Sequence, residues 1–106
     1  MTLHTGTDPV RELAERIADA VDSHPAVAGL HRGPDRRVAT HLPGGPVEGV
    51  RCTGAGDPVE VCLVAYLGDS LVEVSEQVRQ YVREAAGDVA VHVTVADVIA
   101  AEHPPG

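Results

Sequence analysis

Valine dominates the apolar content of this 106-residue chain: there are eighteen Val, against two Tyr and neither Phe nor Trp. A core must therefore be filled without large rings. Its side chains are stiff at the first torsion and suit a pleated surface better than a helix, so a sheet is expected to organise the packing. Apolar residues make up 43% of the chain, which fits a globular unit rather than a disordered one. The length suits a single domain whose core needs neither metal nor disulfide.

The clearest strand lies near the C-terminus, where Val89, Val91, Val93 and Val95 alternate with Ala90, His92, Thr94 and Ala96. A helix is predicted to start at Asp8-Pro9, a capping carboxylate followed by a ring pre-set for the first helical position. Its apolar face is Val10, Leu13, Ala14, Ile17 and Val21, and His24-Pro25 ends it. Short extended runs follow. Ala26–Arg32 and Arg37–Leu42 flank Gly33-Pro34-Asp35 and read as a first hairpin. After the break at Pro43-Gly44-Gly45-Pro46, Val47–Thr53 and Val59–Tyr66 flank Gly54–Pro58 and read as a second. Ser70-Leu71-Val72-Glu73 has the form of a capping box, and Leu71, Val74, Val78, Tyr81, Val82 and Ala85 make a helical stripe that Gly87 terminates. One short helical turn is expected over 97–102.

The predicted fold is thus α+β, a two-layer sandwich of a mainly antiparallel sheet with two amphipathic helices on one face, in the order α-β-β-β-β-α-β. It forms one domain over residues 8–99, with flexible tails at 1–7 and 100–106.

If the second hairpin closes symmetrically, Gly54 lies opposite Asp57, Val50 opposite Val61 and Arg51 opposite Glu60. Val50, Cys52, Val59, Val61 and Leu63 then face the core. Arg51, Thr53, Glu60, Cys62, Val64 and Tyr66 face outward, where His92 and Thr94 join them if the strands share a sheet. An outer face part apolar and part polar suits docking. The candidate protein-interaction residues are Arg51, Cys62, Val64, Tyr66, His92 and Thr94.

Charge and motif content weigh against other classes. The formal net charge is −8, the eight Arg are scattered, Lys is absent and there is little to stack on bases, so nucleic-acid binding is not expected. No run approaches the ~20 apolar residues of a membrane span, and Met1–Pro9 lacks the parts of a signal peptide. Residence in the cytoplasm, without direct membrane insertion, is the expectation. Cys52 and Cys62 fall on opposite faces in the hairpin register and read as free thiols, with Cys62 the more accessible. The six His, at 4, 24, 31, 41, 92 and 103, form no i, i+4 pair and no close pair with Cys. In the first hairpin His31 would face Val38 and His41 would face Ala28, again on opposite sides. Neither Gly-rich stretch is a phosphate loop, and no nucleophile–base set is evident. No catalytic residue, cofactor or metal is predicted.

Ile17-Ala18-x-Ala20 and Pro25-Ala26-Val27-Ala28-Gly29-Leu30 resemble the opening helix and "P-x-V-x-G-L" strand of the alkaline-shock (envelope stress response) protein family of bacteria. Gly49-Val50-Arg51 resembles its "G-V-x-V" strand, and Val59–Tyr66 its "V-x-V-x-L-x-V-x-Y" strand. Leu71–Val78 is similar to the start of its "I-x-E-V-x-x-x-V-Q-x-x-V" helix, and Val91–Val98 to its closing "V-N-V-x-V-x-D-V" strand. The likeness covers about residues 12–98. It departs where Leu67 precedes Gly68-Asp69 and where Cys62 replaces a usual polar residue. The resemblance implies a cytoplasmic, non-catalytic protein that self-associates and gathers at the membrane through a membrane-anchored partner, in a role tied to envelope stress. Since the family defines no catalytic residues, none is carried over. The expectation is a protein-interaction or scaffold module; the alternative is a small-molecule or metal-binding accessory domain.

Overall fold

The computed structural model describes residues 8–100 other than 34, 36 and 69. Helix α1 spans Pro9–Asp22. The Asp8 carboxylate accepts the Val10 N–H at 2.9 Å, satisfying an otherwise orphaned donor of the first turn. Leu13, Ala14, Ile17 and Val21 are buried along one stripe. Strands β1 (Val27–Leu30), β2 (Ala39–Thr40), β3 (Val47–Glu48), β4 (Val50–Arg51) and β5 (Val59–Tyr66) precede helix α2 (Leu71–Ala86), and β6 (Val91–Ile99) follows it. The Ser70 hydroxyl caps α2 by accepting the Glu73 N–H, and Gly87 ends the helix with φ +90°, a conformation open to glycine. The predicted order is observed, with the strand expected over 47–53 divided at Gly49 into β3 and β4. The tails expected at 1–7 and beyond Ala100 lie outside the described residues.

Strand β5 is the axis of the fold. One of its edges pairs with β6 along its whole length, from Val59 opposite Val91 to Tyr66 opposite Ile99. This pair is parallel, because β5 and β6 are joined by the α2 crossover rather than a turn. The other edge is divided between two antiparallel partners. β4 takes the first half, with Arg51 opposite Glu60 and Val50 opposite Val61, as the symmetric turn predicted. β1 takes the second, with Leu30 opposite Leu63 and Val27 opposite Ala65. The two meet at Cys62, whose N–H donates to the Gly49 carbonyl at 2.9 Å and whose carbonyl accepts the His31 N–H at 3.0 Å.

The first predicted hairpin does not form. β1 pairs with β5, while β2 pairs with β3 in a separate two-stranded sheet. Gly33, with φ +85°, turns the chain away after Arg32, and Leu30 is left to pack beside Leu63, one of the largest fully buried side chains. The pairings expected for His31 with Val38 and His41 with Ala28 are accordingly absent. His31 instead accepts the Gly33 N–H through Nδ1 at 2.8 Å, and His41 is exposed. Of the helical turn expected over 97–102, residues 97–99 are strand instead, since β6 continues to Ile99, following β5 past an irregularity at Ala96, and residues 101–102 lie outside the described residues.

Both helices and the predicted core face form one hydrophobic cluster. Val50, Cys52, Val59, Val61, Leu63 and Ala65 of the sheet region meet Ile17 and Val21 of α1 and Val74, Val78 and Val82 of α2. Each fully buried Val contributes about 1.5–3 kcal/mol relative to exposure, so many medium-sized side chains do what a few aromatic rings do elsewhere. His24 is a buried polar residue at the margin of this cluster. It is buried, accepts the Ala26 N–H through Nδ1 at 3.0 Å, bonds Gln77 Oε1 through Nε2 at 2.7 Å and leans on Tyr81 with ring centroids 5.0 Å apart. The end of α1, the start of β1 and the middle of α2 are thereby tied at one point.

Candidate docking surface

The face of the sheet away from the helices has three parts. At one end Arg51, Glu60 and His92 lie side by side on β4, β5 and β6. Arg51 and Glu60 form the expected cross-strand ion pair at 3.8 Å, and His92 is exposed. They line a shallow cleft of about 290 Å³ together with Pro58 and Thr53.

In the middle, Cys62 lies beside Thr94. The expected accessibility of Cys62 is overturned, since the residue is fully buried. The segment after β1 folds across it and places Gly33 beside its sulfur, with the buried Val38 against Gly33. The sequence gives no local sign of this cover, because the segment comes from nearly thirty residues earlier in the chain. Burial, and to a smaller extent the neighbouring Glu60 charge, raise the Cys62 thiol above its ordinary value. Burial likewise raises Cys52, against a lowering hydrogen bond from Thr40. Both cysteines are free. Each is held as a neutral thiol, the poorer nucleophile.

At the far end Val64 lies opposite Gly29 and Asp97, and Tyr66 opposite Ile99. Val64, Tyr66 and Thr94 are half-buried. The Leu67 N–H donates to the Ile99 carbonyl at 2.7 Å, so the turn after β5 is fastened to the end of β6. Leu67 is 71% exposed and Ile99 42%, and the other large exposed apolar side chains among the described residues are Leu71 and Val72 at 73% in the first turn of α2. All four therefore sit in the turn after β5, in the first turn of α2 or at the end of β6. A concentration of this kind is more informative than singly scattered apolar residues. Leu71, expected on the helical stripe of α2, is exposed, and Leu67, Val72 and Ile99 are not foreseen from the sequence pattern. The available signal was Leu67 itself, a large apolar residue placed in a turn next to Gly68.

Of the six residues named from the sequence, the structure thus brings Arg51 and His92 together at one end, and Val64 and Tyr66 at the other, with Thr94 between them and Cys62 under cover. Among the described residues no group of three or more His, Cys, Asp and Glu side chains is arranged to hold a metal ion. None of their helices is long and apolar enough to cross a membrane.

In comparisons with known proteins the chain matches no family model, no curated protein and no solved structure. The alkaline-shock resemblance therefore rests on its motifs alone.

Proposed function

We propose that this protein is a non-catalytic interaction module that docks another polypeptide on the open end of its outer sheet face and associates with itself. The observation that carries the reading is that the large exposed apolar side chains among the described residues, Leu67, Leu71, Val72 and Ile99, fall in the turn after β5, the first turn of α2 and the end of β6, with Ile99 beside the half-buried Tyr66. Apolar side chains so placed lose unfavourable hydration when a partner covers them. The polar end at Arg51 and His92 would supply orientation, as a polar rim does at other interfaces. The neutral, covered thiols weigh against cysteine chemistry at this face. A cytoplasmic role in envelope stress, with recruitment to the membrane by an anchored partner, rests on the motif resemblance.

The test is a photo-crosslinking residue at Leu67 or Ile99, with Gln80 on the exposed face of α2 as control, in cells of the source organism. A discrete partner band from the first two sites, absent at the control and lost when Val64→Glu is added, is the expected result. Identical patterns at all three sites would remove the reading.

A second reading, a small-molecule accessory domain, is favoured by the cleft beside Arg51, Glu60 and His92. It predicts a ligand that raises the melting temperature of the wild type but not of His92→Ala.

A further inference from the structure

Strand β6 pairs with β5 on one side only; among the described residues no strand covers its other edge. With Val59 opposite Val91 and the Val59 N–H donating to the Ala90 carbonyl, β6 turns the backbone groups of His92 and Thr94 toward β5 and those of Val91, Val93 and Val95 away. Both ends of this outer edge are stopped. The Val91 carbonyl accepts Nε of Arg79 at 3.3 Å, and the Val98 N–H donates to its neighbour's carboxylate, Asp97 Oδ1, at 2.8 Å. Between the stops, Val93 and Val95 present N–H and C=O groups to which no described residue is bonded. Only another extended backbone can satisfy alternating donors and acceptors in such a row.

We propose that a second copy of this chain occupies the edge, as an antiparallel β6 pair with Thr94 opposite the partner's Thr94. The proposal rests on the self-association part of the reading above and assigns it to the sheet edge rather than the face. In this register Val93 lies opposite the partner's Val95 and exchanges both hydrogen bonds with it, and the two-fold axis repeats the exchange, so every open group is used. Because Ala96 is an extra residue in β6, Val91 falls opposite the partner's Val98, whose N–H is held by the Asp97 carboxylate. Arg79, held at the Val91 carbonyl, is thus set beside that carboxylate, which keeps lone pairs after accepting the Val98 N–H. This matters because two chains of net charge −8 repel. Asp97 is the one carboxylate in β6, and the register places a cation against it. Moving the pairing by two residues loses these features. Centring it on Val93 directs the Val95 N–H to a Val91 carbonyl that Arg79 already occupies, and centring it on Val95 takes Arg79 away from the partner's Asp97. The paired Val side chains on the helix side and Thr on the outer side are favourable cross-strand neighbours.

The test uses sedimentation of the full chain over a concentration series. Wild type is expected to show a monomer–dimer equilibrium. Asp97→Lys is expected to weaken it by about tenfold or more, and Arg79→Glu combined with Asp97→Lys to restore it by exchanging the charges. Val95→Pro removes an outward N–H without touching the β5 ladder, and is expected to be monomeric with unchanged far-ultraviolet circular dichroism. Should that variant unfold, disulfide trapping decides instead. In a Cys62→Ala background, Thr94→Cys is expected to oxidise to a covalent dimer and His92→Cys is not, because only position 94 meets itself across the axis. A dimer that survives Val95→Pro but is lost in Val64→Glu would overturn the edge in favour of the face, leaving self-association standing. A wild type that remains monomeric at every concentration would overturn self-association by either route, while partner crosslinking at Leu67 and Ile99 would be unaffected.

Discussion

Gly49 and Cys62 meet where β1, β4 and β5 come together at one residue: the Cys62 N–H donates to the Gly49 carbonyl at 2.9 Å, and a Cβ at Gly49 would lie 2.6 Å from the Cβ of Leu30. Gly49 also has φ +85°. Gly49→Ala therefore combines left-handed strain of about 1–2 kcal/mol with overpacking of about 1–3 kcal/mol. Urea denaturation is expected to show a loss of that summed order. Gly29→Ala is the control, since nothing lies within 4 Å of its added Cβ and its φ carries no penalty, and it is expected to be neutral or mildly stabilising.

His24 joins three elements through two hydrogen bonds and a ring contact. Because its Nδ1 accepts a backbone N–H, the neutral ring carries its proton on Nε2 and donates to Gln77. Nitrogen NMR of the imidazole is expected to report that tautomer. His24→Ala leaves a cavity and an unpaired Ala26 N–H, at a cost of roughly 2–4 kcal/mol, whereas Gln77→Ala is expected to cost less because Gln77 is exposed.

The thiols give the protein an alkaline weakness. Both are raised above the ordinary value of 9.0 in the folded state, chiefly by burial, so the folded chain holds these protons more tightly than the unfolded one. The stability this confers is complete below pH 9 and is lost as pH rises through the folded values. Denaturation midpoints are expected to fall above pH 9, with a shallower fall in a Cys52→Ala, Cys62→Ala variant. Equal slopes for the two proteins would refute this. In native buffer at neutral pH, thiol labelling is expected to be slow and to become fast in denaturant.

Two polar contacts differ in weight. The Arg51–Glu60 pair is 3.8 Å apart with Arg51 57% exposed, and Arg51→Ala is expected to cost under about 1 kcal/mol. Ser70 satisfies a helix-end donor that has no intrahelical partner, and Ser70→Ala is expected to cost about 1 kcal/mol. Thermal denaturation at low and high salt separates them, because only the first effect is screened.

Where signals were local, the sequence was readable. Asp8 and Ser70 marked helix starts, valine alternation marked β6, and the Gly54–Pro58 turn fixed the β4–β5 register, with the Asp57 N–H returning to the Gly54 carbonyl at 3.2 Å. The errors are non-local. β1 chose β5 over its neighbour in sequence because β5 offers a long strand with a buried face. Cys62 was covered by a segment whose direction Gly33 determines. The break at Gly49 looked like a strand interior because close approach by Leu30 is invisible without the fold. Of the candidate face, Arg51, His92, Val64, Tyr66 and Thr94 were legible from alternation. The apolar end at Leu67 and Ile99 was not, since it depends on where the β5–α2 turn meets the end of β6.

The end-to-end placement of β1 and β4 along β5 also governs how the molecule loosens. Fraying of β1 from its start runs toward the His31 amide, and fraying of β4 from its end runs toward the Gly49 carbonyl. Both routes converge on a single residue deep in the sheet, Cys62, so the two flanks open as one cooperative block rather than as separate flaps.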